Sequence, residues 1–333
     1  MESLSERISS LAISLALLSL FFLVLGVDIG RAYYLIFIKP LTSFYGLSEI
    51  IVKMIPLLII GVGLCLAFKT GFWNIGAEGQ LILGGIFASF FALYSPFPYW
   101  PILLMGGFLG GALWIILPSI LKAKLKINEV ITTLMLNYVA ILLLDYLLTG
   151  PWKGRTQWGF PYTDPFPESA ILPSVPGTRV HWPTLIVGVI SSLFCWFLVE
   201  KSVIGYRIKV VGQSEKVARY AKINITKIIL ISTILSGGLA GIAGAGEVAG
   251  IHYKLLRGIS IGYGFSGIIV AWLANLDPLE SIFWAFFMAL LFVGGDAIQI
   301  SFELPFGVID IFNGILLISI LAAKVILKRW GEK

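Results

Sequence analysis

The sequence predicts an all-α polytopic membrane protein of about ten transmembrane helices, and three observations predict it. Hydrophobic residues make up 58% of the 333, charged side chains 13%, and the mean hydropathy is +0.94, whereas a soluble domain carries roughly twice that share of charge. Apolar runs recur near 8–27, 50–68, 80–95, 101–121, 130–149, 183–199, 228–246, 264–276, 280–296 and 305–326, and a helix needs about 20 such residues to cross a bilayer. The basic residues are unevenly shared: with an inner N-terminus, 16 of the 24 lysines and arginines fall on the inner side and 8 on the outer. That bias satisfies the positive-inside rule and places both termini in the cytoplasm.

Ten spans use about 200 residues and leave loops too short for a soluble catalytic domain. Residues 1–333 therefore read as one transmembrane domain, not an enzyme, whose chemistry is intramembrane or borrowed. The net charge of +6, which in a soluble protein points to nucleic acid, here reflects inner-loop lysines, so the partner is the lipid bilayer and not nucleic acid. Cys65 and Cys195 lie far apart inside apolar runs, which suggests neither a disulfide nor a metal site.

The first run follows Arg7 and meets only Gly26, Val27 and Asp28 where a cleavage site would lie, so it reads as a retained helix. The second and third runs are joined by GFWNIGAEGQLILGG, Gly71 to Gly85, which sets Asn74, Glu78 and Gln80 among glycines. Polar groups at membrane depth persist where they are buried in protein or line an aqueous cavity, so one reading is a broken helix on a translocation path. The other is a tight cytoplasmic turn with Glu78 solvated. GGFLGG, Gly106 to Gly111, is a small-residue ladder for close helix packing. In the stretch Ile127 to Tyr146, Glu129, Thr133 and Asn137 recur every four residues, forming one polar stripe on an apolar helix. The stripe faces the bundle interior, either to line the path or to hydrogen-bond a neighbouring helix. Asp145 and Asp310 are further acids near the outer side, with no partner named by the sequence.

The external loop 150–182 is rich in Pro and aromatics and either docks an outside partner or caps the bundle. The loop 200–227 is cytoplasmic, strongly basic and helix-capable between Ser214 and Ala221. GGLAGIAGAG, Gly237 to Gly246, lacks the Lys and Ser/Thr of a P-loop, so any ATP is bound by another subunit and this chain needs no cofactor. IGAEGQLI at Ile75 to Ile82 lines up with IGYGFSGI at Ile261 to Ile268. Five spans separate the copies, and an odd number inverts the second, as in inverted-topology repeats with a pathway at their interface. Gly264 to Gly267 spells the GxSG of rhomboid proteases, but His181 and His252 both precede Ser266, the wrong order for that dyad. Asn224 heads a glycosylation sequon on the cytoplasmic side, where it is inert.

NIGAEGQ at Asn74 to Gln80, NEVITTLMLNY at Asn128 to Tyr138, GYRIKVVGQSEKVARYAKI at Gly205 to Ile223 and GYGFSGIIVAWL at Gly262 to Leu273 resemble the permease subunits of ABC importers for nucleosides and simple sugars. The resemblance runs from about residue 50 to the end. It implies the type II importer architecture in a prokaryotic plasma membrane, and a second related permease in a heterodimer. It also implies a cytoplasmic ATPase with two fused nucleotide-binding domains and an external substrate-binding lipoprotein. It further implies that the 205–223 stretch fits a groove on the ATPase, through Gly205, Arg207, Gly212, Ala218 and Ala221, with Tyr220 packed beside them. The family pattern has Asn-Pro where this chain has Gln213 and Ser214, Gly in place of Lys222, and a smaller residue in place of Trp272.

The expected mechanism is a passive gate driven by ATP binding elsewhere, with Asn74, Glu78, Gln80, Glu129, Thr133, Asn137, Tyr263, Phe265 and Ser266 along the pathway. Two other classes compete with it. A secondary transporter would load a coupling proton on Glu78, Asp145 or Asp310, and a membrane scaffold would move nothing.

Overall fold

The computed structural model describes residues 16–24, 26–155, 159–305, 311 and 314–315. The described chain is helical apart from its connections, and it divides into two compact units. One unit takes residues up to Ile50 together with those from Ala289 onward, and the other takes Ile51–Met288.

In the first unit three short helical turns, Ile29–Tyr33, Tyr34–Ile38 and Lys39–Thr42, follow one another. Asp28 caps the first by accepting from the Arg31 amide at 2.6 Å. Leu18 and Phe22 are buried, and the Phe22 ring meets Tyr33 edge-on at 6.1 Å.

The longer helices are α1 (Phe44–Lys69), α2 (Ala77–Tyr94), α3 (Trp100–Leu125), α4 (Glu129–Thr149) and α5 (Trp182–Lys201). Two short ones, α6 (Val203–Gln213) and α7 (Glu215–Tyr220), lead to α8 (Ile225–Gly246), which continues as a π-helical turn Glu247–His252. The last are α9 (Tyr263–Leu273) and α10 (Glu280–Phe302). Seven of these are long and apolar enough to cross a membrane: α1 to α5, α8 with its π turn, and α10. They coincide with the apolar runs from 50–68 to 228–246 and with 280–296. About half of the run 8–27 and most of the run 305–326, Asp310 included, fall outside the described residues.

The run 264–276 differs from expectation. It forms only the 11-residue α9, which rises about 16 Å and is too short for a core of about 30 Å. It is the second half of a broken crossing whose first half, 253–262, is non-helical. The break is local: Gly258 and Gly262 have φ of +72° and +88°, a region that suits glycine. The Ser260 hydroxyl accepts from the Gly262 and Tyr263 amides at 3.2 and 3.1 Å, which caps the start of the helix.

The centre of the larger unit is the packing of α2, α3 and α8. Both glycine ladders act here: a β-carbon at Gly241 would collide with the Gly107 carbonyl, and one at Gly244 with the Leu81 carbonyl. Lipid supplies no hydrophobic drive between helices, so such close backbone approach is what holds them together. Ser119 and Thr233 add a hydroxyl–hydroxyl bond of 2.8 Å between α3 and α8. Asn224 serves as the N-cap of α8, accepting from the Lys227 amide at 3.0 Å. Cys65 and Cys195 are buried free thiols, Cys65 lying 3.4 Å from the Ser281 hydroxyl.

Lysines crowd the end formed by the last turns of α1, α3 and α5. At the opposite end the loop 150–182 folds back on the bundle. Thr163 and Leu255 exchange two bonds of 3.0 Å, the Phe166 amide donates to the Tyr253 carbonyl and the Leu172 amide to the Ala249 carbonyl. Phe166, Leu172 and Val180 are buried, so of the two readings of this loop it carries out the capping one.

Candidate translocation site

The site begins where α1 ends. Gly71, with φ of +77°, turns the chain out of the helix, and Thr70–Gly76 runs non-helically into the bundle before α2 starts at Ala77. A non-helical stretch at membrane depth needs partners for its backbone groups. The stripe on α4 supplies them. Thr133 accepts from the Ile75 amide at 3.2 Å. Asn137 donates to the Ile75 carbonyl at 2.9 Å and accepts from the Gly79 amide at 2.8 Å. Glu129 lies 3.5 Å from the Trp73 amide and pairs with Lys122 at 2.6 Å. The four-residue rhythm of α4 is thus matched to the broken segment, and the stripe does the interhelical bonding that was one of its two expected uses.

Asn74 and Gln80 face each other across the break and exchange two amide bonds of 2.9 and 2.8 Å. Asn74 also donates to Ser236 on α8 at 3.2 Å and accepts from the Gly76 amide at 3.0 Å. All four hydrogen-bonding positions of its amide are used. Asn74 therefore shapes the break with its whole hydrogen-bonding capacity, whereas Gln80 keeps one N–H and one acceptor position beyond its pair with Asn74.

Glu78 is only 6% exposed, so it is not the solvated turn residue of the alternative reading. Its carboxylate accepts from the Gly264 amide, in the first turn of α9, at 2.7 Å, and the Ser260 hydroxyl and Gly262 amide also reach it. A β-carbon on Gly264 would collide with the Glu78 backbone. The first turns of α2 and α9 therefore touch. They also run in opposite directions: α2 leads to Tyr94, which meets Trp152 at the capped end. On α9, Gly267 lies against Ile60 and Trp272 against Phe68, so it descends beside α1 toward the lysine-rich end. The two lined-up stretches are thus both breaks that start a helix, and they meet N-terminus to N-terminus with a carboxylate between them, where the positive ends of both dipoles favour it.

Tyr263 and Ser266 are buried in the first turn of α9 and Phe265 is exposed. Below them Trp272 stacks on Trp73, ring centroids 5.4 Å apart, with Phe68 at 6.2 Å. Neither histidine approaches a serine-protease role: His181 bonds Thr184, and His252 lies 4.0 Å from Glu247. Among the described residues no cluster of His, Cys, Asp or Glu could hold a metal.

The basic stretch 200–227 forms two helices, α6 and α7, before α8 begins. Ser202 caps α6 through the Gly205 amide at 3.1 Å, and Ser214 caps α7 through the Val217 amide, so the residue that replaces the family's proline starts the second helix. A β-carbon on Gly205 would collide with the Val199 carbonyl and one on Gly212 with the Lys69 carbonyl. Glu200 joins Lys69 at 3.4 Å and Lys209 at 2.6 Å, tying α6 to the ends of α1 and α5. Glu215 on α7 joins Lys126 at 2.6 Å, which holds its carboxyl below the usual range. Ala218 is buried and Arg207 and Ala221 are exposed, while Gly212, though exposed on one side, turns its other side to the end of α1. Tyr220, the last residue of α7, is 93% exposed.

One pair had no sequence signal. Asp145 near the end of α4 binds the Arg257 Nε at 2.7 Å, across 112 residues of chain.

Residues 46–321 match the family described as "Branched-chain amino acid transport system / permease component". The chain is 32% identical over 314 residues to a glucose ABC transporter permease of Haloferax volcanii, covering 90% of this chain and 82% of that one. It is 29% identical over 327 residues to the guanosine ABC transporter permease of Bacillus subtilis, covering 95% and 92%. It is 27% identical over 277 residues to a nucleoside ABC transporter permease of Lactococcus lactis, covering 78% and 74%. The first and third organisms each hold a second, different permease that also resembles this chain, at 26% and 22% identity.

Proposed function

We propose a cargo, a partner set and a coupling route for this chain, which belongs to the family of permease components of branched-chain amino acid transport systems and is a multi-pass ABC transporter permease. The cargo is a nucleoside or simple sugar. The three relatives are named for glucose, guanosine and nucleosides, and glucose and nucleosides alike carry a hydroxylated sugar ring. The observation that carries the transport reading is the meeting of two broken, oppositely directed crossings at Glu78 and Gly264. Such meetings place a solute path at the interface of the two halves.

The lysine-rich end faces the cytoplasm, by the positive-inside rule, and ten crossings put both termini there. A second related permease completes the pore as a heterodimer, a reading supported by the paired permeases of two related organisms. α4 is the least buried of the spans and offers its apolar outer face to lipid or to that partner. A cytoplasmic ATPase with two fused nucleotide-binding domains docks on α6 and α7, and a binding lipoprotein delivers solute outside. ATP is used by that ATPase and not by this chain.

The coupling route follows from covalent continuity. Gly212 of α6 rests on the carbonyl of Lys69, and Lys69 is eight residues before Ala77, the start of α2. A push on α6 reaches the end of α1 through that contact and through Glu200. It then passes along Thr70–Gly76 to the Glu78–Gly264 contact, the element with two arrangements that alternating access requires. Of the acids that the proton-coupled alternative would use, Glu78 accepts from the Gly264 amide and Asp145 pairs with Arg257, and Asp310 lies outside the described residues.

The test is isolation of the tagged chain from its native membranes in mild detergent, with ATP hydrolysis measured against guanosine and glucose. Recovery of an ATPase, a second permease and solute-stimulated hydrolysis is the expected result. Recovery of the chain alone, from membranes that still transport without ATP, would overturn the reading.

A further inference from the structure

Above Glu78 the bundle opens into a cleft of about 300 Å³ between α2, α4 and the 253–262 segment, lined by Glu78, Ser260, Asp145, Arg257 and the apolar Ile82 and Leu144. We propose that this cleft is the solute-binding site of the permease and that it recognises vicinal hydroxyl groups, with the Asp145–Arg257 pair as the specificity-determining element. The proposal rests on the cargo reading above.

Four observations carry it. The first is accessibility: the Asp145 and Arg257 side chains are 37% and 51% exposed, and charges at a membrane-spanning helix face a water-filled cavity or protein rather than lipid. The cleft is therefore wet and accessible. The second is the hydrogen-bonding repertoire left over. Arg257 meets Asp145 through Nε alone, leaving its two Nη groups as donors and the second Asp145 oxygen as an acceptor. A hydroxyl group both donates and accepts, so two adjacent hydroxyls satisfy both ions at once with charge-assisted bonds. The third is the floor. The Glu78 carboxylate offers about four lone-pair positions, of which the Gly264 amide takes one at 2.7 Å, and a free position on the carboxylate accepts a hydrogen bond from a solute hydroxyl. The fourth is size and lining: Ile82 and Leu144 present an apolar wall for ring carbons, and the volume is at the small end of ligand sites, about 300–1,000 Å³. That suits one sugar ring with a base and excludes larger solutes.

The position also explains how binding and gating meet. A ligand on the floor touches the carboxylate that holds α9 against α2, so solute occupancy and the state of that contact are linked through one side chain.

The test reads occupancy directly, without the binding protein. In the permease–ATPase complex in nanodiscs, Ile141→Cys places a thiol on the exposed rim of the cleft, while the native Cys65 and Cys195 stay buried. The rate of its modification by a methanethiosulfonate is followed against guanosine, 2′,3′-dideoxyguanosine and glucose. Guanosine or glucose should slow labelling, and the dideoxy analogue should need at least about tenfold more, since a lost charge-assisted bond is worth that much or more. Adding Arg257→Met should bring guanosine and its dideoxy analogue to the same half-protection concentration. Labelling unaffected by a solute that the intact importer transports would overturn the proposal and leave the cargo reading standing. Import of neither guanosine nor glucose by the intact wild-type importer would overturn the cargo reading, and the proposal with it. Retained discrimination in a folded Arg257→Met protein, its folding checked by an unchanged melting profile, would remove the ion pair from the site.

Discussion

The carboxylate of Glu78 accepts a hydrogen bond from the Gly264 amide at 2.7 Å, joining two residues 186 positions apart. The bond is made where two helices start, one rising and one descending, and no side chain at position 264 fits between them. Gly264→Ala should therefore separate the two first turns. Overpacking of this kind costs about 1–3 kcal/mol, so the purified variant should melt several degrees lower and import should fall in parallel. Thermal unfolding in detergent and uptake in vesicles check it, and full activity at the wild-type melting temperature would show that the contact is dispensable.

The stripe on α4 predicts a graded series. Asn137→Leu keeps the volume but strands the Gly79 amide and the Ile75 carbonyl, each buried group costing about 1–3 kcal/mol. Thr133→Val strands only the Ile75 amide and should cost about half as much. Chemical or thermal denaturation of both variants should rank them in that order. Equal losses would mean that the segment 70–76 is held by packing and not by these bonds.

The broken segment before α2, the stripe on α4 and the helix after Ser214 were legible in the sequence, because each is announced locally, whereas α6 entered only through the family resemblance. Glycines flank the polar groups at 74–80, a four-residue spacing marks 129–137, and Ser214 precedes a helical stretch. Whether Glu78 was solvated or buried was not legible, since its partner Gly264 is far along the chain. The same holds for Asp145 with Arg257, for Glu129 with Lys122 and for Asn74 with Ser236: these are long-range or side-chain choices made by packing. The 264–276 run reads as an apolar span because composition does not register the left-handed turns at Gly258 and Gly262.

The tryptophan pair at the lysine-rich side gives a third prediction. Trp272 stacks on Trp73 at 26° between ring planes and stands beside Phe68. Trp272→Ala removes a large ring from this cluster at a cost of about 3–5 kcal/mol where it is well packed, whereas Trp272→Phe keeps an aromatic contact. The melting temperature should fall steeply for the first and slightly for the second. If both melt like the wild type, the stack contributes nothing to the fold.

The route from α6 to the site yields the last prediction. Gly212 rests directly on the Lys69 carbonyl, so Gly212→Val forces α6 away from the end of α1, while Glu200→Gln weakens only partly exposed ion pairs worth about 0–1 kcal/mol. If α6 transmits the ATPase stroke by contact, the ratio of solute imported to ATP hydrolysed should collapse in Gly212→Val. The loss should be on the order of 5–150-fold, the span that a coupling free energy of about 1–3 kcal/mol allows. Glu200→Gln should lower the ratio far less. If instead the stroke travels through the ion pairs, the order of the two variants reverses, and the ratio measured in proteoliposomes of the complete importer separates the two routes. A Gly212→Val importer with an undiminished ratio would remove the contact with Lys69 from the mechanism, and the push would have to enter through α7 and its Glu215–Lys126 link to α3.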